Sequence, residues 1–294
     1  MIKILMILLI ISALYFLAVF IKDYIDRIKN KSIDNRKFLT FAVSGFIVNF
    51  FDTLGIGSFA IFTAILKNFK LTEDRTIPGT LNVSCAIPVI VEAMVFINVI
   101  KVEPFTLISM IVAATLGAVL GAGFVAKLDE RKIEIGMGSA LLVVAFIMFA
   151  GQINLMPSGG ASTGLTGVRL IIGLIGNFIF GAFMTLGIGI YAPCMALVFT
   201  LGMSPKVAFP VMMGSCAFLE AAASVKFVKE GAYDARTPLP VMIFGSIGVL
   251  IAAYVVKSLP LSILKWVVIG IIVYTSVIMF KSAKGKNRSK IQPV

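Results

Sequence analysis

The sequence contains no histidine. That absence removes Ser–His and Cys–His nucleophile pairs, histidine metal clusters and the serine-type intramembrane protease together. Charge is scarce too, at 14% of residues, against about a quarter in a soluble domain. The three cysteines, Cys85, Cys194 and Cys216, all lie inside apolar runs, and an odd buried set is not a disulfide framework. No G-x-x-x-x-G-K-[ST] phosphate loop occurs, so the chain does not energise itself with ATP. An aspartyl intramembrane protease needs two facing aspartates, and only Asp52 lies within a span. Catalytic residues, cofactors and metal ligands are therefore not expected, and neither is an enzyme.

What is present is apolar. Of 294 residues, 59% are hydrophobic, and mean hydropathy is +1.04. This is an all-α polytopic membrane protein, with the lipid bilayer as its first partner. A net charge of +12 would suggest nucleic acid in a soluble protein. Here the basic residues fall between apolar runs, as expected for anchoring on anionic cytoplasmic lipid, so no nucleic-acid partner is expected. The first run, Ile4 to Ile21, ends at a basic segment and has no A-x-A cleavage pattern. It reads as a retained N-terminal anchor, with residues 1–37 forming that anchor and a basic cytoplasmic loop.

Further apolar stretches fall at about 38–66, 76–100, 105–126, 133–150, 168–200, 207–226, 237–256 and 262–280. Two exceed the roughly 20 residues of one crossing, and both carry a glycine-rich interruption. Thr53-Leu-Gly55-Ile-Gly57 recurs as Thr185-Leu-Gly187-Ile-Gly189, 132 residues later. Pro78 recurs as Pro210 at the same offset, and Ser84-Cys85-Ala86 recurs as Ser215-Cys216-Ala217 one residue short of it. Gly117 and Gly248 follow suit. The chain therefore divides into a first repeat at 38–151, a Gly/Ser/Thr-rich linker at 152–168 that reads as a flexible connection, and a second repeat at 169–281. A basic cytoplasmic tail follows at 282–294.

Charge decides how the halves are related. If each overlong stretch crosses once, the 26 lysines and arginines divide 16 inside to 10 outside. If each enters and returns as a broken re-entrant hairpin, they divide 20 to 6, the better split under the positive-inside rule. Each half then has one hairpin and three transmembrane helices, and the halves are inverted repeats. The N-terminus lies outside and the C-terminus in the cytoplasm.

The breaks are the strongest functional signal. Non-helical backbone at membrane depth persists only where it is buried in protein or lines a cavity. A half-helix N-terminus pointing inward offers free N–H groups to an anion. Candidate substrate-binding residues are Thr53, Gly55, Gly57, Thr185, Gly187 and Gly189, with Asn82, Ser84 and Ser215 supplying neutral donors. Close helix packing is the other reading of the glycines. Pro78, Pro88, Pro193 and Pro210 are candidate helix breaks or kinks, and back-bonded hydroxyls the plainer account of the polar residues around them. Three acids lie deep in apolar runs, Asp52, Glu92 and Glu220, and are candidates for coupling to a proton or cation. Met184 stands where the second repeat would carry Asp52's partner. Buried cysteine usually serves as a small hydrophobe.

Nine apolar segments, two half-length repeats, a glycine-rich break early in each and a proline-bearing helix after it resemble the TauE/SafE sulfite exporter family, also called the toluene-sulfonate uptake permease family. The resemblance covers about 38–281. It implies a multi-pass inner-membrane carrier, mostly bacterial, of sulfite, sulfonates and related organosulfur anions. The expected function is secondary transport of a small sulfur-containing oxyanion by alternating access. The alternatives are a carrier for another small anion or metabolite, or a membrane-embedded enzyme. A structural subunit gains nothing from interrupted helices in lipid.

Overall fold

In lipid each backbone N–H must find its partner within its own segment, so long runs of Leu, Ile, Val and Phe fold as helices. The computed structural model describes residues 2–30, 37–155, 160–187, 189–255 and 261–289. Among them are eleven α-helices: α1 (Ile2–Lys29), α2 (Phe38–Thr53), α3 (Ser58–Asn68), α4 (Ile77–Val99), α5 (Pro104–Val125), α6 (Glu130–Gln152), α7 (Gly167–Met184), α8 (Tyr191–Thr200), α9 (Pro205–Lys229), α10 (Pro238–Val255) and α11 (Leu261–Ser289). Six of them are long and apolar enough to cross a membrane: α1, α4, α5, α6, α7 and α9. The expected positions 31–36 of the basic loop, 156–159 of the linker, Ile188 of the second motif and 290–294 of the tail lie outside the described residues. Part of the expected tail, 282–289, continues α11 as helix.

Helix starts are written locally. Glu103 caps α5, accepting from the Phe105 and Thr106 amides at 2.9 and 2.6 Å, and Pro104 opens that helix. Those amides hold the Glu103 carboxyl below the usual carboxylate range. Asp129 caps α6 through the Lys132 amide at 2.9 Å. Pro78 and Pro193 fall in the first turns of α4 and α8, where proline is tolerated, so neither kinks a helix as expected. Pro88 and Pro210 do lie inside helices, in α4 and α9.

Packing pairs the helices across the two halves. α4 packs on α9, α6 on α11, α2 on α10 and α5 on α7. Small residues let the backbones meet. A Cβ on Gly117 would stand 2.0 Å from the Phe178 carbonyl oxygen, and one on Gly248 would stand 2.5 Å from that of Phe46. Gly117 and Gly248 are repeat partners, and Phe46 and Phe178 are separated by the same 132-residue offset.

Residue contacts fix the direction of each helix. Gly79 at the start of α4 meets Ala232 just beyond α9, while Gly214 early in α9 meets Ile97 near the end of α4. Those two helices are antiparallel. So are α6 and α11, where Phe149 rings with Trp266 and Gly138 meets Met279. Matching helices of the two halves thus run in opposite senses.

The ends of the molecule follow from the same contacts. Arg236, before α10, donates to the Leu71 carbonyl after α3 at 3.1 Å, and Gly45 in α2 packs on Val241 in α10. The start of α2 and the end of α3 therefore share one end. Arg169 in the first turn of α7 lies beside Gly202, just past α8, at the other end. Both broken helices turn back, and they enter from opposite ends. The hairpin arms are unequal, with 16 and 11 residues in the first and 18 and 10 in the second. The incoming arms are about 24 and 27 Å long.

The N-terminal helix is long and apolar enough to span, and it also packs on the body: Leu9, Phe16 and Phe20 are buried and Tyr233 donates to Asp23 at 2.5 Å. One expectation changes. The linker is pinned rather than loose at 160–166. Gly160 donates to Met203, Ser204 to Ser162, and Glu103 to Thr163, at 2.9, 2.8 and 2.8 Å.

Candidate functional site

Each break is made by glycine in a conformation that side chains avoid. Gly55 and Gly57 have φ of 82° and 95°, and Gly187 has 88°. The chain reverses there and restarts as a short helix. At the first break the restart is occupied. The Asp52 carboxylate accepts from the Ser58 amide at 2.7 Å and from the Ser58 hydroxyl at 2.9 Å, capping α3. One of the two expected anion sites thus already holds the protein's own carboxylate. Charge alone suggested a coupling role for Asp52; its geometry adds a structural one.

The second break is bare. Met184 takes the place of Asp52, and among the described residues no side chain caps α8, which opens at Tyr191. The two breaks meet: a Cβ on Gly189 would lie 3.7 Å from that of Phe59, in the first turn of α3. Their tips pass one another rather than touch, since Gly55 reaches Phe209 near the start of α9 and Gly187 reaches Leu81 near the start of α4. Gly57 is buried, yet a Cβ there would find nothing within 4 Å. Open space inside the fold therefore adjoins the first break.

Glu92 of α4 joins the two. Its Oε1 is 2.8 Å from the Thr53 hydroxyl at the end of α2, and its Oε2 accepts from the Tyr191 hydroxyl at the start of α8 at 2.7 Å. Asp52, Glu92 and Glu220 are all buried and close enough to act on one another's charge. Cys85 and Cys216 lie within reach of all three. Neither Glu220 oxygen has a hydrogen-bond partner among the described residues. No salt bridge among the described residues reaches any of the three acids.

The remaining candidates divide. Asn82 donates back to the Pro78 carbonyl at 2.9 Å, leaving its Oδ1 free, and the buried Ser84 hydroxyl has no partner. Ser215 is held by Asn177 of α7 at 2.9 Å, and Thr185 donates to the Ala182 carbonyl at 2.7 Å. Those two hydroxyls are occupied within the fold. Tyr191 and Asn177 were not expected from the sequence. Tyr191 could have been found from the offset, since it stands at the repeat position of Phe59.

A larger cavity, of about 840 Å³, opens at the end of the molecule that holds the start of α2 and is lined by Lys67, Lys70, Arg75 and Lys281 among others. Lys67 is ion-paired there with Asp74 and, at 3.3 Å, with Glu134. Among the described residues, one group of acids could share a cation, namely Asp74, Glu130 and Glu134. Lys67 reaches into that group.

No curated protein and no solved structure matches the chain. The family described as Sulfite exporter TauE/SafE matches residues 1–148 and 169–294, leaving only the linker region aside. With its apolar helices, that match makes the protein a multi-pass transmembrane transport protein. The chain belongs to the TauE/SafE sulfite exporter family.

Proposed function

We infer that the protein moves a small sulfur-containing oxyanion across the membrane by alternating access of two inverted halves, and that the anion binds where the two breaks meet. The observation that carries this reading is the bare N-terminus of α8 beside Gly189 and Phe59. There free amides and the positive end of a helix face the interior with no carboxylate of the protein's own. Gly57, Gly187 and Gly189 give the backbone access to the ligand, Thr53 and Glu92 close the site, and Asp52 and Glu220 set its charge. Family membership favours sulfite or a sulfonate as the anion.

A flux panel in proteoliposomes tests the substrate class. Sulfite, sulfate, thiosulfate, a sulfonate and a carboxylate are offered in turn, with release of preloaded label as the readout. At least one sulfur oxyanion should move faster than the carboxylate. Carboxylate flux without any sulfur-anion flux would establish the alternative, a carrier for another small metabolite.

We also assign the end holding the basic segments to the cytoplasm, as the 20 to 6 charge split requires. Single cysteines at Phe69, after α3, and Thr166, before α7, report the two hairpin mouths on a background lacking the native cysteines. Both sites are exposed. An impermeant maleimide added to intact cells should label the Thr166 site and spare the Phe69 site. Labelling of both from one side contradicts the inverted arrangement.

A further inference from the structure

Three linked oxygen–oxygen contacts, two at Glu92 and a third at Thr53, share two hydroxyls that cannot supply all of their hydrogens. Tyr191 Oη lies 2.7 Å from Glu92 Oε2, Thr53 Oγ1 lies 2.8 Å from Glu92 Oε1, and Thr53 Oγ1 lies 2.9 Å from the Asn49 carbonyl oxygen. Each contact needs one hydrogen between its oxygens. Tyr191 and Thr53 bring one apiece, and a carbonyl brings none. If Tyr191 donates to Oε2 and Thr53 donates to Asn49, the hydrogen between Thr53 and Oε1 belongs to Glu92.

The surroundings favour the same assignment. Glu92 is fully buried and unpaired by any cation. The titratable groups facing this region are Asp52 from α2, Tyr191 from α8, Cys216 and Glu220 from α9, and Cys85 from α4 itself. All of them are acids. Of the other packed helices, α10 carries only the exposed Tyr254, and α3 only Lys67, bound at the far end of the helix. In α1, Lys3 lies in the first turn and Lys22, Asp23, Tyr24, Asp26, Arg27 and Lys29 near the other end, while Tyr15 is exposed; the lysines of α9, Lys206, Lys226 and Lys229, lie in its first and last turns. A bare carboxylate in this place would put a charge beside two other buried acids with no counter-ion, a costly state in an apolar interior.

We propose that Glu92 holds a proton on Oε1 in this closed arrangement, and that this protonated carboxyl is the clasp between the two breaks. It donates to Thr53 on the first hairpin and accepts from Tyr191 on the second. Release of the proton to entering water leaves a carboxylate that repels Asp52 and Glu220 and is drawn toward solvent. The start of α8, where the anion binds, is thereby freed. Proton release and the opening of the anion site are then one event. The consequence for transport rests on the function proposed above; the proton on Glu92 does not.

Infrared spectroscopy of the purified full-length protein separates the two. The difference spectrum of wild type minus Glu92→Gln, taken near neutral pH, should show a protonated carboxyl C=O band that moves in D2O. A carboxylate band pair in its place would overturn the proposal. Should Glu92→Gln fail to fold, Thr53→Val removes the acceptor for the Oε1 hydrogen at similar volume. The same band should then shift in frequency, and an unshifted band would also overturn the assignment. In proteoliposomes, sulfite exchange by the wild type should depend on pH, while Glu92→Gln, which cannot release a proton and keeps the clasp shut, should exchange at least several-fold more slowly at every pH. Wild-type rates with the wild-type pH dependence in that variant would overturn the link to opening. If the wild type moves no sulfur anion, the transport reading fails while the infrared result still decides the proton.

Discussion

Gly189→Leu is expected to leave a folded protein that transports at least about tenfold more slowly than wild type, a loss equivalent to about 1.4 kcal/mol. The atom nearest an added Cβ is that of Phe59, at an ordinary contact distance of 3.7 Å. There is therefore room for a Cβ in this state. A leucine would nevertheless extend into the interface where the two broken helices meet and where an anion would approach the α8 amides. Elution of the detergent-solubilised variant reports folding, and proteoliposome flux reports function. Wild-type flux from well-folded Gly189→Leu would remove this interface from the mechanism. Gly57 is a poorer probe despite the open space beside it, because its φ of 95° strains any side chain by about 1–2 kcal/mol.

Gly181→Leu should have the opposite signature, with little folded protein recovered at all. A Cβ on Gly181 would stand 2.0 Å from the Ala114 carbonyl oxygen and 2.9 Å from its Cα. Backbone cannot yield there as a flexible side chain can, so α5 and α7 must separate. Overpacking of this kind typically costs about 1–3 kcal/mol, and here it also breaks the partner contact of Gly117 with Phe178. Gly181→Ala should fall between wild type and the leucine variant. Gly270→Leu supplies the control, since a Cβ at this exposed position meets nothing within 4 Å. Equal recovery of the Gly181 and Gly270 variants would mean that α5 and α7 do not pack this closely.

The elements legible in the sequence were those fixed by local composition. Thr-Leu-Gly-Ile-Gly must interrupt a helix wherever it stands, and lysines and arginines fall between spans whatever the tertiary packing. Pro78 was misread because proline within an apolar run looks like a kink, whereas Asp74–Thr76 form a short 3-10 turn that makes it the second residue of α4. Asp52 was legible as an unusual acid but not as a cap, since that depends on the chain doubling back to Ser58. The Glu92–Tyr191 bond was out of reach. Its partners are 99 residues apart, and only the register of two opposed hairpins brings them together. Glu134 likewise stands at the edge of an apolar run, where burial is not expected, yet it is fully buried beside Lys67.

The Asp52 cap bears on the half of a transport cycle in which nothing is bound. A carrier with two bare half-helix ends would make its empty return with about half a positive charge uncompensated at each of them. Such a protein would be held in place until a second anion arrived, and would work as an exchanger. Here one end is capped by the Asp52 carboxyl, a group that cannot leave. On the function proposed above, only the α8 end would be emptied when substrate departs, so the unloaded protein would have less charge to carry back across, and net movement of the anion in one direction would become easier.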